Sequence, residues 1–252
     1  MNRSTRTRSE IQPDRRRPSE VARHVVLPAD IRTTGWPRVE AQARACGIEY
    51  DGWQRQLGRC ILGKTSDGVY AAGIGGVVVS ICRQVGKTFL IGTMIVMLCI
   101  LNEYPLKVLW TAHRTRTSDE TFKFMCALVR RKAISRFVDG EPRRANGQQE
   151  IVFVNSSRIM FGARENGFGR GFDSVDVEVF DEAQILTERA LDDMIPATNA
   201  APNPLIIYMG TPPKPSDPSE VFSTRRDEAL KGDSTDTVSY THLRAHETLA
   251  NL

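Results

Sequence analysis

Three consecutive residues, Gly86, Lys87 and Thr88, place a flexible backbone position, a cation and a hydroxyl side by side. Such a set binds the phosphates of a nucleotide when it lies between a strand and the N-terminus of a helix. Gly86 would let the backbone approach the phosphates, Lys87 would pair with the β- and γ-phosphates, and Thr88 would bind Mg²⁺. Ile81 stands where the usual motif has its first glycine, so the motif is incomplete. The β-branched run before it and the apolar run after it favour a phosphate loop over a helix start with a surface lysine.

A pair of acids, Asp181 and Glu182, follows an apolar run 94 residues after Lys87. Phosphoryl transfer needs a carboxylate that holds Mg²⁺ through its water shell and a base that orients the attacking water. Asp181 fits the first role and Glu182 the second, whereas the alternative is an ordinary acidic turn between a strand and a helix.

Thr211 also follows an apolar run, and ligands of open α/β sheets bind where strands end. It could therefore lie near the γ-phosphate and sense its loss, although Gly-Thr-Pro-Pro also suits a plain turn.

The elements around these motifs alternate between strands and helices. The predicted strands are residues 77–81, 107–112, 175–180 and 205–209, with a hairpin at 151–154 and 158–161. The predicted helices start at Lys87, run from Asp119 to about Lys132 after a Ser118 cap, and cover 188–194 after a Thr187 cap. Glu178 interrupts its apolar strand, which indicates that this strand is exposed on one side. The alternation predicts an α/β fold with a mainly parallel sheet and helices on both faces.

Composition and charge narrow the class of protein. The 252 residues carry a net charge of +4, with ten arginines and no lysine in residues 1–44. We interpret residues 1–44 as a flexible basic arm, or alternatively as an arm that contacts phosphates. The five cysteines are scattered and form no C-x-x-C pair, which argues against a zinc site and a disulfide framework and suits a reducing cytoplasm. No signal peptide is recognisable, and the apolar run at 89–101 is too short to span a bilayer.

The loop SICRQVGKT at residues 80–88, DEAQ at 181–184 and GTPP at 210–213 together resemble the ATPase domain of tailed-bacteriophage large terminases. Residues 109–113 and 170–176 are similar to further motifs of that family, and the resemblance covers roughly 50–237. It implies a P-loop NTPase fold of the RecA/ASCE type that hydrolyses ATP with Mg²⁺ and moves double-stranded DNA into a procapsid. It also implies a homo-oligomeric ring on the portal protein, a small terminase subunit as partner, no membrane, and a place in the host cytoplasm.

The same resemblance suggests roles for four further residues. Arg83, inside the phosphate loop, would sense or stabilise the γ-phosphate, and Arg170 could do the same within the subunit or toward a neighbour. Gln84 would contact the nucleotide from the loop, and Gln54, after Trp53, would recognise adenine through its amide. A structural reading of Arg83 is a loop arginine paired with a nearby acid.

Two other functions stay open at this point. A DEAD/DEAH-type helicase shares an upstream glutamine and the Asp-Glu-Ala core but needs a second RecA-like domain. A non-catalytic module that binds nucleic acid or the portal would keep the fold without activity, which intact Lys87, Thr88, Asp181 and Glu182 argue against.

The predicted organisation is an arm at 1–44, an ATPase domain at 45–237 and a tail at 238–252. Since about 40 residues follow Gly210, the nuclease domain of large terminases has no room, and the chain is expected to be truncated. Residues 239–248 resemble translated sequencing-adaptor DNA, so we expect the tail to be non-native or disordered and dispensable for folding. The alternatives are a native helical tail or a genuinely short protein; His242 and His246 lack a third ligand for a metal site.

Overall fold

The computed structural model describes residues 22–73, 75–145, 149–169, 171–214, 217–231 and 237–242. Within these residues the strands are β1 (Ala22–Val26), β2 (Thr33–Thr34), β3 (Gly63–Lys64), β4 (Val77–Ser80), β5 (Lys107–Ala112), β6 (Gln149–Val152), β7 (Arg158–Ala163), β8 (Val177–Phe180), β9 (Leu205–Gly210) and β10 (Val238–His242). The α-helices are α1 (Trp36–Ala45), α2 (Gly52–Ile61), α3 (Lys87–Leu101), α4 (Thr115–Val129), α5 (Lys132–Ser135), α6 (Glu188–Met194) and α7 (Glu220–Lys231). Short 3₁₀ turns lie at Arg164–Asn166, Ala183–Ile185 and Ile195–Thr198.

An eight-stranded sheet runs through the molecule in the order β1-β10-β4-β9-β8-β5-β7-β6. Neighbours from β10 to β7 are parallel, whereas β1 and β6 are antiparallel at the two edges. The four central strands β4, β9, β8 and β5 are almost continuously apolar because both faces of the sheet are covered. The predicted α/β class with a mainly parallel sheet is confirmed.

Helix α3 forms the middle of the larger core, on one face of the sheet. It has apolar residues on all sides, and α1 packs against it from outside. On the other face, Phe222 of α7 and Met194 of α6 pack against Phe180 and Tyr208 of the sheet. In the described part of the chain, no helix has the length and apolar character that crossing a bilayer requires.

Most element positions follow the sequence prediction, including the β6–β7 hairpin and the cap of α6, where Thr187 Oγ1 accepts a hydrogen bond from Ala190 N at 3.3 Å. The start predicted for α4 was wrong. The helix begins at Thr115, and Ser118 is buried inside it. Glu165 Oε1, from a distant loop, accepts from Thr115 N at 2.8 Å and so satisfies the first turn of the helix that Ser118 was expected to cap.

The interpretation of residues 1–44 as a flexible arm is corrected for the part that the structure describes. Residues 22–26 form an edge strand, and α1 buries Trp36, Val39 and Ala43. The Trp36 ring lies so close to α2 that a Cβ added at Gly58 would be 2.1 Å from it. These three apolar residues have helical spacing, which the high arginine content of the segment obscured. Residues 1–21 lie outside the described residues.

The tail expected at residues 238–252 is also different where it is described. Strand β10 lies inside the sheet, pairing antiparallel with β1 and parallel with β4. Ser239 and Tyr240 are buried, with exposed fractions of 0% and 1%. The run TVSYT at 237–241 pairs beside β4, but five residues with two apolar side chains are too few to signal a strand by pattern. Residues 243–252, with His246, lie outside the described residues.

The prediction that Glu178 marks an exposed side of its strand was wrong. Glu178 is fully buried, in register between Leu109 of β5 and Ile206 of β9. Burial raises the pKa of its carboxyl group to about 7, and the positive charge of Arg164 opposes that rise. A single acid in an apolar strand therefore marks a buried carboxyl group here.

Candidate functional site

The carboxyl ends of β4, β8 and β9 meet at one cleft of about 570 Å³. Seven residues proposed from the sequence line it: Arg83, Gln84, Lys87, Thr88, Asp181, Glu182 and Thr211. Three segments separated by up to 128 positions, counted from Arg83 to Thr211, are thus brought together at one edge of the sheet, as an open parallel sheet requires.

The phosphate loop connects β4 to α3 and closes on its own lysine. Lys87 Nζ donates to the carbonyl oxygens of Ile81 at 2.6 Å and Cys82 at 2.8 Å. Burial lowers the pKa of Lys87 to about 8, against the opposing negative charge of Asp181. Gly86, at the N-terminus of α3, has a φ of +95°, a conformation that favours glycine. A cation is therefore held where phosphates would approach a helix N-terminus.

The environment of Ile81 shows how an isoleucine is accommodated where the usual motif has its first glycine. Its backbone N–H donates to Gly210 O at 3.1 Å and its side chain is fully buried, so this position extends β4 into the core. Its φ is negative, whereas Gln84, three residues on, has a φ of 62°. Gln84 is thus the non-glycine residue of the loop with a left-handed backbone, and it is exposed at the cleft together with Arg83.

The acidic turn after β8 is built from backbone contacts. Asp181 N donates to Thr111 O of β5 at 2.8 Å, and Glu182 N donates to Asp181 Oδ1 at 2.8 Å. Burial raises the pKa of Asp181 to about 6. Glu182 has a left-handed backbone with a φ of 54°, and its Oε2 is buried without a hydrogen-bond partner in the described residues. Glu182 also lines the cleft. A cleft residue with a strained backbone and a buried, unpaired oxygen is typical of a functional site.

Gln184 joins this turn to the third segment. Its Oε1 accepts from Thr211 N at 3.2 Å, and a Cβ added at Gly210 would lie 2.6 Å from the same oxygen. Gly210 is therefore required for close approach, and Thr211 is tied to the acidic turn. Gln184 belongs to the DEAQ motif at 181–184, but the motif alone predicted no role for it.

Gln54 lies beside the phosphate loop. It is buried, and its Nε2 would be 3.0 Å from a Cβ added at Gly86. Its Oε1 accepts from Asp51 N at 2.9 Å, which caps α2. The amide oxygen expected to accept from adenine is thus occupied by the protein, and adenine recognition by Gln54 stays a prediction.

Sequence reasoning missed residues that approach the site from two other elements. Arg116 and Glu120 of α4 line the cleft and form an exposed ion pair at 3.2 Å. Arg164, after β7, is largely buried and reaches the backbone of the acidic turn. The cluster of arginines and threonines in residues 114–117 could have pointed to Arg116, whereas no pattern pointed to Glu120 or Arg164. Arg170, the second arginine proposed, lies outside the described residues.

The residues present fit a magnesium ion. Thr88 and Asp181 line the same cleft and offer the hydroxyl and carboxylate oxygens that this hard cation prefers. Glu182 lines the same cleft, and its carboxylate would supply a further hydrogen-bond acceptor there.

Comparisons with known proteins bear on the fold. No protein-family model matches the sequence, and no curated protein matches it. Among solved structures, the chain is similar to the large terminase of bacteriophage HK97, with 18% identity and a TM-score of 0.67, over 85% of this chain and 45% of that one. It is also similar to the ATPase domain of the Thermus phage P74-26 large terminase in an arginine-to-alanine variant, with 14% identity and a TM-score of 0.55, over 72% and 71% of the two chains.

The unsubstituted P74-26 domain gives a TM-score of 0.53 at 14% identity, over 68% of each chain. The match thus spans less than half of the HK97 protein and 68% of the isolated P74-26 domain. The resemblance read from the motifs is confirmed at the level of structure: this chain has the fold of the ATPase domain of phage large terminases.

Proposed function

We propose that this chain is the ATPase domain of a viral DNA-packaging motor, which couples hydrolysis of Mg-ATP to movement of double-stranded DNA into a procapsid. One observation carries the proposal: a single cleft, in a large-terminase fold, brings together Lys87, Thr88, Asp181, Glu182 and Thr211. Each residue type matches a need of phosphoryl transfer, namely a cation, two oxygen ligands for a metal, a base and a hydroxyl near the γ-phosphate.

Lys87 exchanges partners when the nucleotide binds. Its ammonium leaves the carbonyls of Ile81 and Cys82 for the β- and γ-phosphates, which carry full negative charge. Thr88 and Asp181 would hold Mg²⁺, which neutralises charge on the phosphates when bound. A water molecule then attacks: its oxygen bonds to the γ-phosphorus while Glu182 accepts its proton. The bond between the γ-phosphorus and the bridging oxygen of ADP breaks.

Arg83 and Thr211 complete the proposed reaction site. Arg83 is exposed at the cleft, where it can turn toward charge that develops on the γ-phosphoryl group. Thr211 is bonded through its backbone to Gln184 beside the acidic turn, so loss of the γ-phosphate would change its surroundings. Gln84 would contact the nucleotide from the phosphate loop. Gln54, which lies beside the loop, would contact the adenine.

The DNA and protein partners belong to the proposal as well. The fold likeness supports a motor that acts as a ring on the portal protein with a small terminase subunit, in the host cytoplasm. The ten arginines in residues 1–44 suit contact with DNA phosphates. Subunits of such a ring act next to one another. The isolated chain lacks this neighbour, so we expect it to hydrolyse ATP slowly.

Phosphate release by the purified chain with Mg-ATP tests this function. Lys87→Ala should abolish release and weaken ATP binding, because it removes the cation of the phosphate loop. Lys123→Ala, an exposed lysine of α4, is the matched control and should behave as wild type. If Lys87→Ala releases phosphate at the wild-type rate, the phosphate loop has been misassigned.

A further inference from the structure

We propose that Arg164 is a positioning residue, which fixes the backbone of the acidic turn so that Glu182 can act as the base. The inference rests on the proposed function of that turn. Arg164 follows β7 and belongs to none of the three sequence motifs, and no role was expected for it.

The contacts of Arg164 converge on the ends of two strands. Its Nη1 donates to both Thr111 O and Thr111 Oγ1 at 3.1 Å. Its Nη2 donates to Asp181 O at 2.8 Å and reaches Glu182 O at 3.5 Å. Thr111 O also accepts from Asp181 N. The guanidinium therefore links β5 to the two peptide groups that set the direction of the Glu182 side chain.

The surroundings of the Arg164 guanidinium indicate that it binds backbone groups and is not the partner of a carboxylate. Within the described residues, Arg164 forms no ion pair, and its donors go to backbone carbonyls and one hydroxyl. Burial lowers its pKa to about 10, while Asp181 and Glu182 favour its charge. Burying a cation costs free energy unless it is bonded, and the planar fork of arginine can span two carbonyls as lysine cannot. The Phe180 ring lies under it, 6.0 Å from Cζ.

The same 3₁₀ turn also holds the start of α4. Glu165 Oε1 accepts from both the N–H and the hydroxyl of Thr115 at 2.8 Å, and Asn166 Nδ2 donates to Thr115 Oγ1 at 3.1 Å. Arg116, next in α4, lines the cleft. Arg164–Asn166 thus fixes two walls of the cleft relative to each other, and Arg164 supplies the link to the base.

Arg164→Met keeps most of the apolar volume and removes the fork. We expect ATP affinity to change less than threefold, while kcat falls on the order of 100-fold, since small misplacement of a reacting group costs about that much. Arg158→Met is the matched control: it lies at the opposite end of β7, bonded to an acid, and should keep wild-type kcat. Hydrogen exchange measured by mass spectrometry should accelerate in a peptide covering 179–186 for Arg164→Met alone.

Chemical rescue separates positioning from general loss of structure. Arg164→Ala should regain part of its turnover with millimolar guanidinium, because a pocket of about 120 Å³ gives access to the position of the side chain. Urea, a neutral molecule of similar shape, should not restore it. Wild-type turnover in Arg164→Met, or unchanged exchange in 179–186, would overturn the inference.

The two proposals fail differently. A wild-type chain that binds ATP without hydrolysing it would contradict the proposed function. The exchange experiment would still decide whether Arg164 holds the acidic turn.

Discussion

The phosphate loop after β4 and the acidic turn after β8 face the same cleft but are stabilised in opposite ways. In the loop, the lysine is held locally, because Lys87 bonds to carbonyls five and six positions earlier. One backbone bond, from Ile81 N to Gly210 O, joins the loop to β9. In the turn, Asp181 is held by Thr111, and Arg164 reaches across from β7. Strand β4 carries no ionisable residue, whereas β8 carries the buried Glu178. The lysine of the site is thus held mainly within a short segment, whereas the acidic turn depends on contacts across the assembled sheet.

The largest expected effect comes from the acidic turn itself. Glu182→Gln should reduce hydrolysis by about 10²-fold or more while ATP binding stays nearly intact, because the amide keeps the size but cannot accept the proton. Asp181→Asn should instead weaken Mg²⁺-dependent ATP binding. Phosphate release and the Kd of ATP with and without Mg²⁺ distinguish the two. Loss of ATP binding in Glu182→Gln would reverse the assigned roles.

This contrast explains what could be predicted from the sequence. The strand ends and their motifs were predictable because apolar runs and residue types are local signals, and an open parallel sheet brings strand ends together. Arg164 was not predictable, since its partner Thr111 is 53 positions away and no motif contains it. Glu178 was misread because an acid in an apolar strand signals exposure in most proteins. Residues 22–44 and β10 were misjudged because composition concealed short buried elements.

Removing residues 239–252 tests how far the phosphate loop depends on the sheet. The deletion takes away most of β10, which pairs with β4 and buries Tyr240, so Tm should fall substantially and the loop's strand would become an edge. Removing only 243–252 keeps β10 and serves as the control. An unchanged Tm after removal of 239–252 would support the earlier expectation of a dispensable tail.

Arg83→Ala should have a smaller effect, confined to the loop. If Arg83 meets charge that develops on the γ-phosphoryl group, turnover should fall about tenfold while the Kd of ATP changes little. Arg131→Ala, exposed beyond α4, is the control, and Arg170→Ala should be measured in parallel. A weaker Kd with unchanged turnover would make Arg83 a ground-state contact of the phosphates.

The smallest effect concerns the strand under the acidic turn. Since burial raises the pKa of Glu178 from its usual value near 4.5 to about 7, the folded protein binds more protons than the unfolded chain between these pH values. Stability should therefore fall as pH rises through this window, by about 3 kcal/mol in all. Glu178→Gln cannot ionise, so urea unfolding should show it more stable than wild type at pH 8 and nearly equal at pH 4.5.

The Glu178→Gln variant also tests whether the buried charge of Arg164 needs a negative charge in β8. Turnover of Glu178→Gln should stay close to wild type, because Arg164 bonds to carbonyls rather than to this carboxylate. Glu103→Gln, at an exposed position, controls for loss of a carboxylate as such. If Glu178→Gln loses stability at pH 8, Glu178 is ionised and pairs electrostatically with Arg164. The acidic turn would then rest on a buried ion pair, and the contrast with the locally held lysine of the phosphate loop would be larger still.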